Sequence, residues 1–537
     1  MVKTISKPKA STYDAIIIGG GHNGLVCAAY LARAGKSVLV VEKRPLVGGA
    51  AVSEETVPGF TFSTFSYVVS LFRPHIIRDL DLVRHGLQII PMETTYNPIP
   101  GDKGLVRWAD SERTRDEISR FSQRDASQYS EFGLAMGRLS RFAKNIIDTT
   151  APEPASLNPK ELFKLLKMAR LFKDFDGNLR YLNVKLMTMS AVDFLQEWFE
   201  SEPLLPSMAG SGIIGTFMGI RSPGTAYVLL HHYMGEIDGA MRAWGFSKGG
   251  TGQISLACAR AAVSLGAEII TDAGVDHIEI QNGRAKGVVL ENGDSIRAGT
   301  VISCLDPNRT FLRMVGEQEL PEDFTTAIKR YKNRGSSGKV NLALRRLPDF
   351  KDGRPGQYHL KGDITIAPSI DYVERAFDEA KYGEFSHRPF LNIVIPSLSD
   401  PSVAPPGKHV LSAFVQYAPY NLREGADTWP ERREAFGNAV IDTIEECAPD
   451  IRDCIIDKQV LSPWDIEKMT GLTEGNIFQG ELSLEQLAFL RPVAEWSRYR
   501  TPIHKLWMCG SGTHPGGGLM GAPGELAAKT MLTEGGV

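Results

Sequence analysis

The strongest constraint on this chain lies in residues 15–42. Ala15-Ile16-Ile17-Ile18 is a β-branched run of the kind a parallel sheet buries on both faces, and it passes directly into Gly19-x-Gly21-x-x-Gly24. The helical pattern Leu25–Ala34 follows and stops at Gly35. A second apolar strand, Ser37–Val41, then ends at Glu42, 18 residues after Gly24. Strand, turn, helix, strand and acid in that order make a βαβ unit for a dinucleotide. Gly19 permits the tight turn, Gly21 lets a pyrophosphate approach the backbone, and Gly24 lets helix and strand pack closely. The helix start offers unpaired N–H groups and about half a positive charge to the phosphates. Glu42 is placed to accept hydrogen bonds from ribose hydroxyls. A second match, Gly210-Ser211-Gly212-Ile213-Ile214-Gly215, has Pro203 and Pro206 where its strand should be, so we read it as a decoy.

Composition removes several other classes. With 63 acidic against 60 basic residues the net charge is −3, so binding of nucleic acid through bulk charge is not expected. Apolar residues at 42% and charged residues at 23% are ordinary globular usage. Six scattered cysteines without a C-x-x-C give neither a disulfide scaffold nor a zinc or dithiol motif, which suits a reduced, cytoplasmic compartment. No stretch approaches the ~18 consecutive apolar residues of a membrane span. Lys3, Lys7 and Lys9 ahead of Ala15–Ile18 imitate a signal peptide, but the apolar run is too short and breaks into glycine.

Two further glycine clusters refine the dinucleotide. After Glu42 come Lys43-Arg44-Pro45-Leu46-Val47-Gly48-Gly49 and Ala50-Ala51, a second turn that a simple nicotinamide dehydrogenase has no reason to carry. Near the other end, the strand Lys505–Cys509 runs into residues 510–524, seven of which are glycine, before the helical pattern Glu525–Leu532. So much glycine supplies little side-chain area to bury, and lets backbone approach another group closely. A helix starting near Met520–Gly524 can aim its N–H groups at an anionic edge of a bound ligand.

The Gly48-Gly49 turn resembles the extended FAD fingerprint of the flavin amine oxidase superfamily, with Ala50-Ala51 where an arginine is usual. Tyr499-Arg500-Thr501-Pro502-Ile503 and Leu506 to Gly524 resemble the C-terminal signature of the phytoene desaturase-related flavoproteins. The branch is that of the desaturase-type carotenoid ketolases and of the animal pyridine nucleotide-disulfide oxidoreductase domain-containing proteins. His22-Asn23, Trp198–Ser201, Ser222–Thr225, Lys248–Gly252, Gly475–Ile477 and Leu490–Pro492 extend the match from end to end. The resemblance implies an α/β fold with a Rossmann-type FAD-binding domain and an inserted mixed α+β substrate domain. The FAD domain would comprise 12–75, 240–310 and 485–537, and the substrate domain 76–239 and 311–484. Cofactor-binding residues expected from motif and resemblance together are Gly19, Gly21, His22, Asn23, Gly24, Glu42, Lys43, Gly48, Gly49, Ala50, Val275, Gly510, Ser511, Gly512, Leu519 and Met520. Asn282-Gly283 and Asn292-Gly293 mark hairpin turns in the middle segment.

The remaining chain is read for a substrate. Gly212–Gly219 and Ala226–Met234 carry no acidic or basic side chain apart from His231 and His232, as lining for an apolar ligand or as plain core. Adjacent histidines diverge, and no H-x-x-x-H or carboxylate cluster accompanies them, so no metal site is read. Over 159–174, Leu162, Leu165, Leu166, Ala169 and Phe172 share one helical face with Lys160, Lys164, Lys167, Arg170 and Lys173 mostly opposite. This is either a solvated surface helix or peripheral contact with a membrane interface.

The implied reaction is FAD-dependent dehydrogenation of an apolar small molecule, isoprenoid or carotenoid-like, with hydride transfer to flavin N5. Glu236, Asp238 and His232 are the candidates for catalysis, and Tyr417 and Arg491 are weighed as pocket groups, Arg491 rather as an ion-pair partner. Without a second dinucleotide site, oxygen or a quinone is the expected electron acceptor. A redox-neutral polyene isomerase, saturase or ketolase, and a lipid carrier without catalysis, stay open as alternatives. Monomer and homodimer are equally compatible.

Overall fold

The computed structural model describes residues 4–5, 7–99, 101, 103–171, 173, 175–351 and 354–537. Its first sheet has seven strands. Glu268–Ile270, Val38–Val41, Thr12–Ile18 and Ser295–Ser303 lie side by side in parallel. The far edge of Ser295–Ser303 is shared. Its first half pairs antiparallel with Arg284–Leu290, and its second half pairs parallel with Leu506–Met508. Arg284–Leu290 turns back from Val275–Gln281 through Asn282-Gly283, both with positive φ, as the dipeptide predicts.

Alternation along the central strand explains why it is apolar throughout. Ala15 and Ile17 join the core beneath the helices His22–Arg33, Gly252–Ser264 and Ala522–Thr533, whereas Ile16 and Ile18 join the core under the hairpin and residues 309–330. Small residues bring helix and sheet together. A Cβ at Gly24 would sit 2.5 Å from the Gly19 carbonyl oxygen, and one at Gly524 would sit 2.0 Å from that of Asn23. The first and last helices of this layer therefore touch backbone to backbone.

The second sheet, also of seven strands, is mainly antiparallel. Its order is Ile455–Leu461, Ser337–Leu344, His409–Gln416, Phe390–Val394, Asp363–Ile366, Thr94–Asn97 and Leu105–Trp108. Val340, Leu342 and Leu344 pack with Phe436 and Val440 of the helix Trp429–Glu445. The alternate positions of that strand, Ser337, Lys339 and Asn341, face away from this core. A helical cluster including Gln123–Ile147, Gly177–Thr188 and Thr225–Tyr233 closes the remaining side around Phe132, Phe194 and Leu229.

Gly210–Gly212 is one turn of 3-10 helix after the short helix Leu205–Ala209, not a phosphate turn. Added Cβ atoms at Gly210 and Gly215 would meet the rings of Phe390 and Phe478 at 2.4 and 2.3 Å, so these glycines serve packing. The His22–Arg33 helix begins three residues earlier than its apolar pattern indicates, with Gly21 as the residue before it. Among the described residues no helix is long and apolar enough to cross a membrane.

Candidate functional site

Both ends of the chain build one site. The Asn23 amide donates to the Ser511 hydroxyl at 3.0 Å, joining the first turn to the C-terminal glycine stretch across 488 positions of sequence. Gly48 N–H donates to the Gly20 carbonyl at 2.8 Å, so the second glycine pair lies directly on the first turn. Between these strands of backbone is a cavity of about 120 Å³ lined by His22, Ala50, Ala51, Leu71, Ser511, Gly518 and Leu519, with Ser337, Gly338 and Lys339 opposite. Leu519 has φ 57°, a left-handed conformation that side chains other than Asn and Asp rarely adopt, at the point where the loop meets the cavity.

The other expected cofactor residues do not line this cavity, and each is held differently. Glu42 is buried, and its carboxylate accepts from the N–H groups of Gly20 at 2.7 Å and Arg44 at 2.9 Å. Burial pushes its pKa up against the pull of those donors. Ala273 N–H donates to the Glu42 carbonyl, which brings the start of Val275–Gln281 beside the end of Val38–Val41. Lys43 points outward to an exposed ion pair with Glu291 at 2.8 Å. Gly510 and Gly512 leave room for the Cys304 carbonyl and the Pro307 ring, which a Cβ would meet at 2.6 and 2.5 Å. Met520 is buried, and its carbonyl accepts from Arg73 N–H.

Two observations test whether a flavin dinucleotide fits. The turns that would cradle it lack side chains where Gly19, Gly21, Gly48 and Gly49 lie, and His22 Nε2 and Asn23 Oδ1 are buried there with no protein partner. Burial lowers His22 to a pKa of about 4, so the ring is a neutral hydrogen-bonding group at pH 7. The residues present fit FAD.

Arg491 holds the C-terminal half of the cradle in place. Its fully buried guanidinium donates to the carbonyl of Ser511 at 3.0 and 2.8 Å, and to those of Phe478 (2.8 Å), Gly480 (3.1 Å), Glu481 (3.2 Å) and Gln486 (3.2 Å). It is a hub for backbone carbonyls and not the ion-pair partner expected from sequence. Tyr417 likewise donates to the Met218 carbonyl at 2.7 Å and lines neither cavity.

A larger cavity of about 370 Å³ adjoins the first, and Val68, Ile214, His232 and Trp244 line both. His232 stacks between Trp244 and Phe478, with ring centroids 6.0 and 6.2 Å away. Its Nδ1 bonds the Val228 carbonyl at 2.9 Å, and burial lowers its pKa to about 4, which makes it a weak base. His231 bonds the Gly517 carbonyl at 3.2 Å and secures the glycine stretch to the helix Thr225–Tyr233. The other two catalytic candidates are elsewhere. Glu236 is ion-paired with Lys144, and Asp238 is exposed on the turn of a two-residue hairpin. Neither lines either cavity.

The larger cavity is more polar than the apolar stretches of sequence imply. Of Gly212–Gly219 and Ala226–Met234, only Ile214, His232 and Tyr233 reach it; most of the rest is packed core. Its polar lining includes Arg107, Tyr129, Arg242, Asp363 and Thr365, residues of four separate segments with no shared motif. Lys339, on the wall of the smaller cavity, is a further residue that no motif marks, although it carries a local signal. A lysine within Ser337–Leu344, a strand buried at every position, has no solvent to reach. Its Nζ has no hydrogen-bond partner and sits 4.1 Å from the Tyr67 ring centroid, and burial holds it well below the usual lysine range.

Fold and site together define an FAD-binding oxidoreductase. The family model described as flavin containing amine oxidoreductase matches residues 24–524, and the chain belongs to that family. It is 38% identical to pyridine nucleotide-disulfide oxidoreductase domain-containing protein 2 of Rattus norvegicus, over 97% of this chain and 94% of that one. It is 27% identical to one of the limonene dehydrogenase polypeptides of Castellaniella defragrans over the same shares. The crystal structure of an oxidoreductase from Methanosarcina mazei shares the fold at a TM-score of 0.60 and 16% identity, covering 97% of this chain and 99% of that one.

Replacing Arg491 by Met removes the donors for five carbonyls. We expect a loss of about 4 kcal/mol in unfolding free energy together with loss of bound FAD, read by chemical denaturation and by the absorbance of the purified protein. Unchanged stability with full FAD content would contradict the assigned role.

Proposed function

We propose that the protein dehydrogenates a CH–CH bond of a predominantly apolar, isoprenoid-like small molecule held in the larger cavity. In this reading 12–75, 240–310 and 485–537 form the FAD-binding unit and 76–239 and 311–484 the substrate-binding unit. The turns at Gly19, Gly21, Gly24 and Gly48–Ala50 with Glu42 hold the dinucleotide. Ser511, Leu519 and Met520 border the ring. Bound FAD supplies the two-electron acceptor for the hydride that leaves the substrate.

The observation that carries this reading is the shared wall. Val68, Ile214, His232 and Trp244 form the boundary between the glycine-built cavity and the larger one, so a substrate in the second lies against whatever fills the first. Positioning of this kind accounts for much of the rate in reactions where the cofactor carries the chemistry. A cavity of about 370 Å³ is within the range that small-molecule ligands occupy, and the 27% likeness to a limonene dehydrogenase polypeptide agrees with a terpene-sized substrate. Lys339 is the group best suited to accept the proton, because it is buried, unpaired and shifted toward the neutral amine. Glu236, committed to Lys144, and exposed Asp238 have no part in it. His232 orders the boundary between the two cavities.

Anaerobic mixing of the holoenzyme with C10 isoprenoids, limonene among them, tests the reaction. The absorbance of oxidised flavin is expected to fall in a single turnover. Lys339→Met should slow that step about 100-fold or more. The wild-type rate should fall as pH drops through the lysine pKa, because the ammonium form cannot accept a proton. Turnover seen only after the flavin has been pre-reduced would replace dehydrogenation with redox-neutral isomerisation.

We also propose peripheral membrane contact through the helix Pro159–Leu171 of an otherwise cytoplasmic protein. Leu162, Phe163 and Leu166 are 47%, 63% and 51% exposed there, whereas Lys164 is held by the buried Glu161 carboxylate at 2.8 Å. Phe172 and Asp174 lie outside the described residues. The triple change of Leu162, Phe163 and Leu166 to Ser should abolish flotation with anionic liposomes while leaving the FAD content unchanged. Flotation that is absent in the parent or unaffected in the variant would remove the idea.

A further inference from the structure

The end of the larger cavity formed by Arg107 and Arg242 carries more positive charge than the dehydrogenation of a hydrocarbon requires. Arg107 comes from the strand Leu105–Trp108, and Arg242 from the segment just after the Glu236–Met241 hairpin, where its φ of 63° is unusual for a side chain of that size. The Arg242 guanidinium donates to the Tyr129 hydroxyl at 3.3 Å and lies 4.4 Å from the Tyr233 ring centroid. Arg107 donates to the Ser207 hydroxyl at 3.1 Å. Arg107 Nε and the Tyr233 hydroxyl are both buried with no partner. All four side chains line the cavity.

Counter-charge is incomplete. Among the described residues, neither guanidinium has a carboxylate oxygen within 4.0 Å. Two other acids line the cavity. Glu93 is exposed. Asp363 accepts from the Thr365 hydroxyl at 2.6 Å, and burial pushes its pKa up to about 6 against the pull of that bond and of the Arg107 charge, so it offsets at most one of the two guanidiniums. The positive field is also visible on Tyr129. Burial alone would raise that phenol, yet Arg242 and Arg107 outweigh it and hold it below the ordinary tyrosine range. Half-buried guanidiniums that no carboxylate pairs with favour a ligand that neutralises them, and their forks match the oxygen geometry of carboxylate and phosphate.

We propose that Arg107 and Arg242, with the hydroxyls of Tyr129 and Tyr233, form a receptor for an anionic oxygen group on the substrate, a carboxylate or a phosphate. The substrate is then an amphipathic acid whose apolar chain extends toward Val68, Ile214 and Trp244 at the boundary with the smaller cavity. This rests on the larger cavity being the substrate site. It narrows the substrate from predominantly apolar isoprenoid-like molecules in general to those with one charged end.

Binding is the test, independent of turnover. The holoenzyme is titrated with geranic acid, geranyl monophosphate and geraniol, and the change in the visible spectrum of bound FAD is followed. At least one of the two anions should bind about tenfold or more tightly than the alcohol, and comparison of the two identifies the headgroup. Arg242→Met should remove that advantage while leaving geraniol binding unchanged, and Arg107→Met gives an independent variant should the first lose its FAD. Tyr233→Phe should weaken the anion by a smaller factor. Equal binding of all three ligands, or equal weakening of all three in the arginine variants, would overturn the proposal. An acid that binds as described but leaves the flavin oxidised supports the receptor and counts only against the proposed dehydrogenation.

Discussion

The backbone contact between the first turn and the last glycine stretch determines where everything else in this molecule stands. The Gly524 contact with the Asn23 carbonyl allows the helices His22–Arg33 and Ala522–Thr533 to touch, and the Asn23–Ser511 hydrogen bond fixes the loop between strand and helix. A side chain on Gly524 would separate the two layers that enclose the cavity. Arg491 then binds the loop from behind through carbonyls alone. A guanidinium without a carboxylate suits this task, because its planar fork can serve several carbonyls at once without competing for an acid.

On this frame, the second sheet contributes chemistry. Its strand Ser337–Leu344 divides by alternation into an apolar face on Trp429–Glu445 and a polar face that includes Lys339. A hydrogen-bonded line continues from Tyr67 to Asn392 (2.6 Å), Thr365 (3.3 Å) and Asp363 (2.6 Å), so the two cavities are joined by polar side chains as well as by a shared wall. An ordered polar line of this kind can fix side chains near a reacting bond without water entering.

How much of this is readable from sequence depends on what fixes each feature. The cradle is legible because backbone geometry fixes it. Glycine at 19, 21, 24, 48 and 49 is required by approach and curvature, and the β-branched strand before it states its own burial. The Asn-Gly hairpins are legible for the same reason. The larger cavity is not, because Arg107, Tyr129, Arg242 and Asp363 are ordinary surface-type residues until tertiary packing brings them together. The acids Glu236 and Asp238 are attractive for their position in the chain before Lys248–Gly252, but position in sequence says nothing of direction, and one is paired while the other faces solvent. Apolar runs suggest an oily pocket where they in fact form core. Among the cavity residues that carry no motif, Lys339 alone stands out locally.

The central claim is that both ends of the polypeptide close on a single flavin. Hydrogen exchange of the amides, compared between FAD-loaded and FAD-stripped protein, tests it most directly. The account predicts that FAD slows exchange together in residues 19–24, 48–51 and 510–521. Protection confined to the N-terminal turns, with 510–521 exchanging equally in both forms, would contradict it.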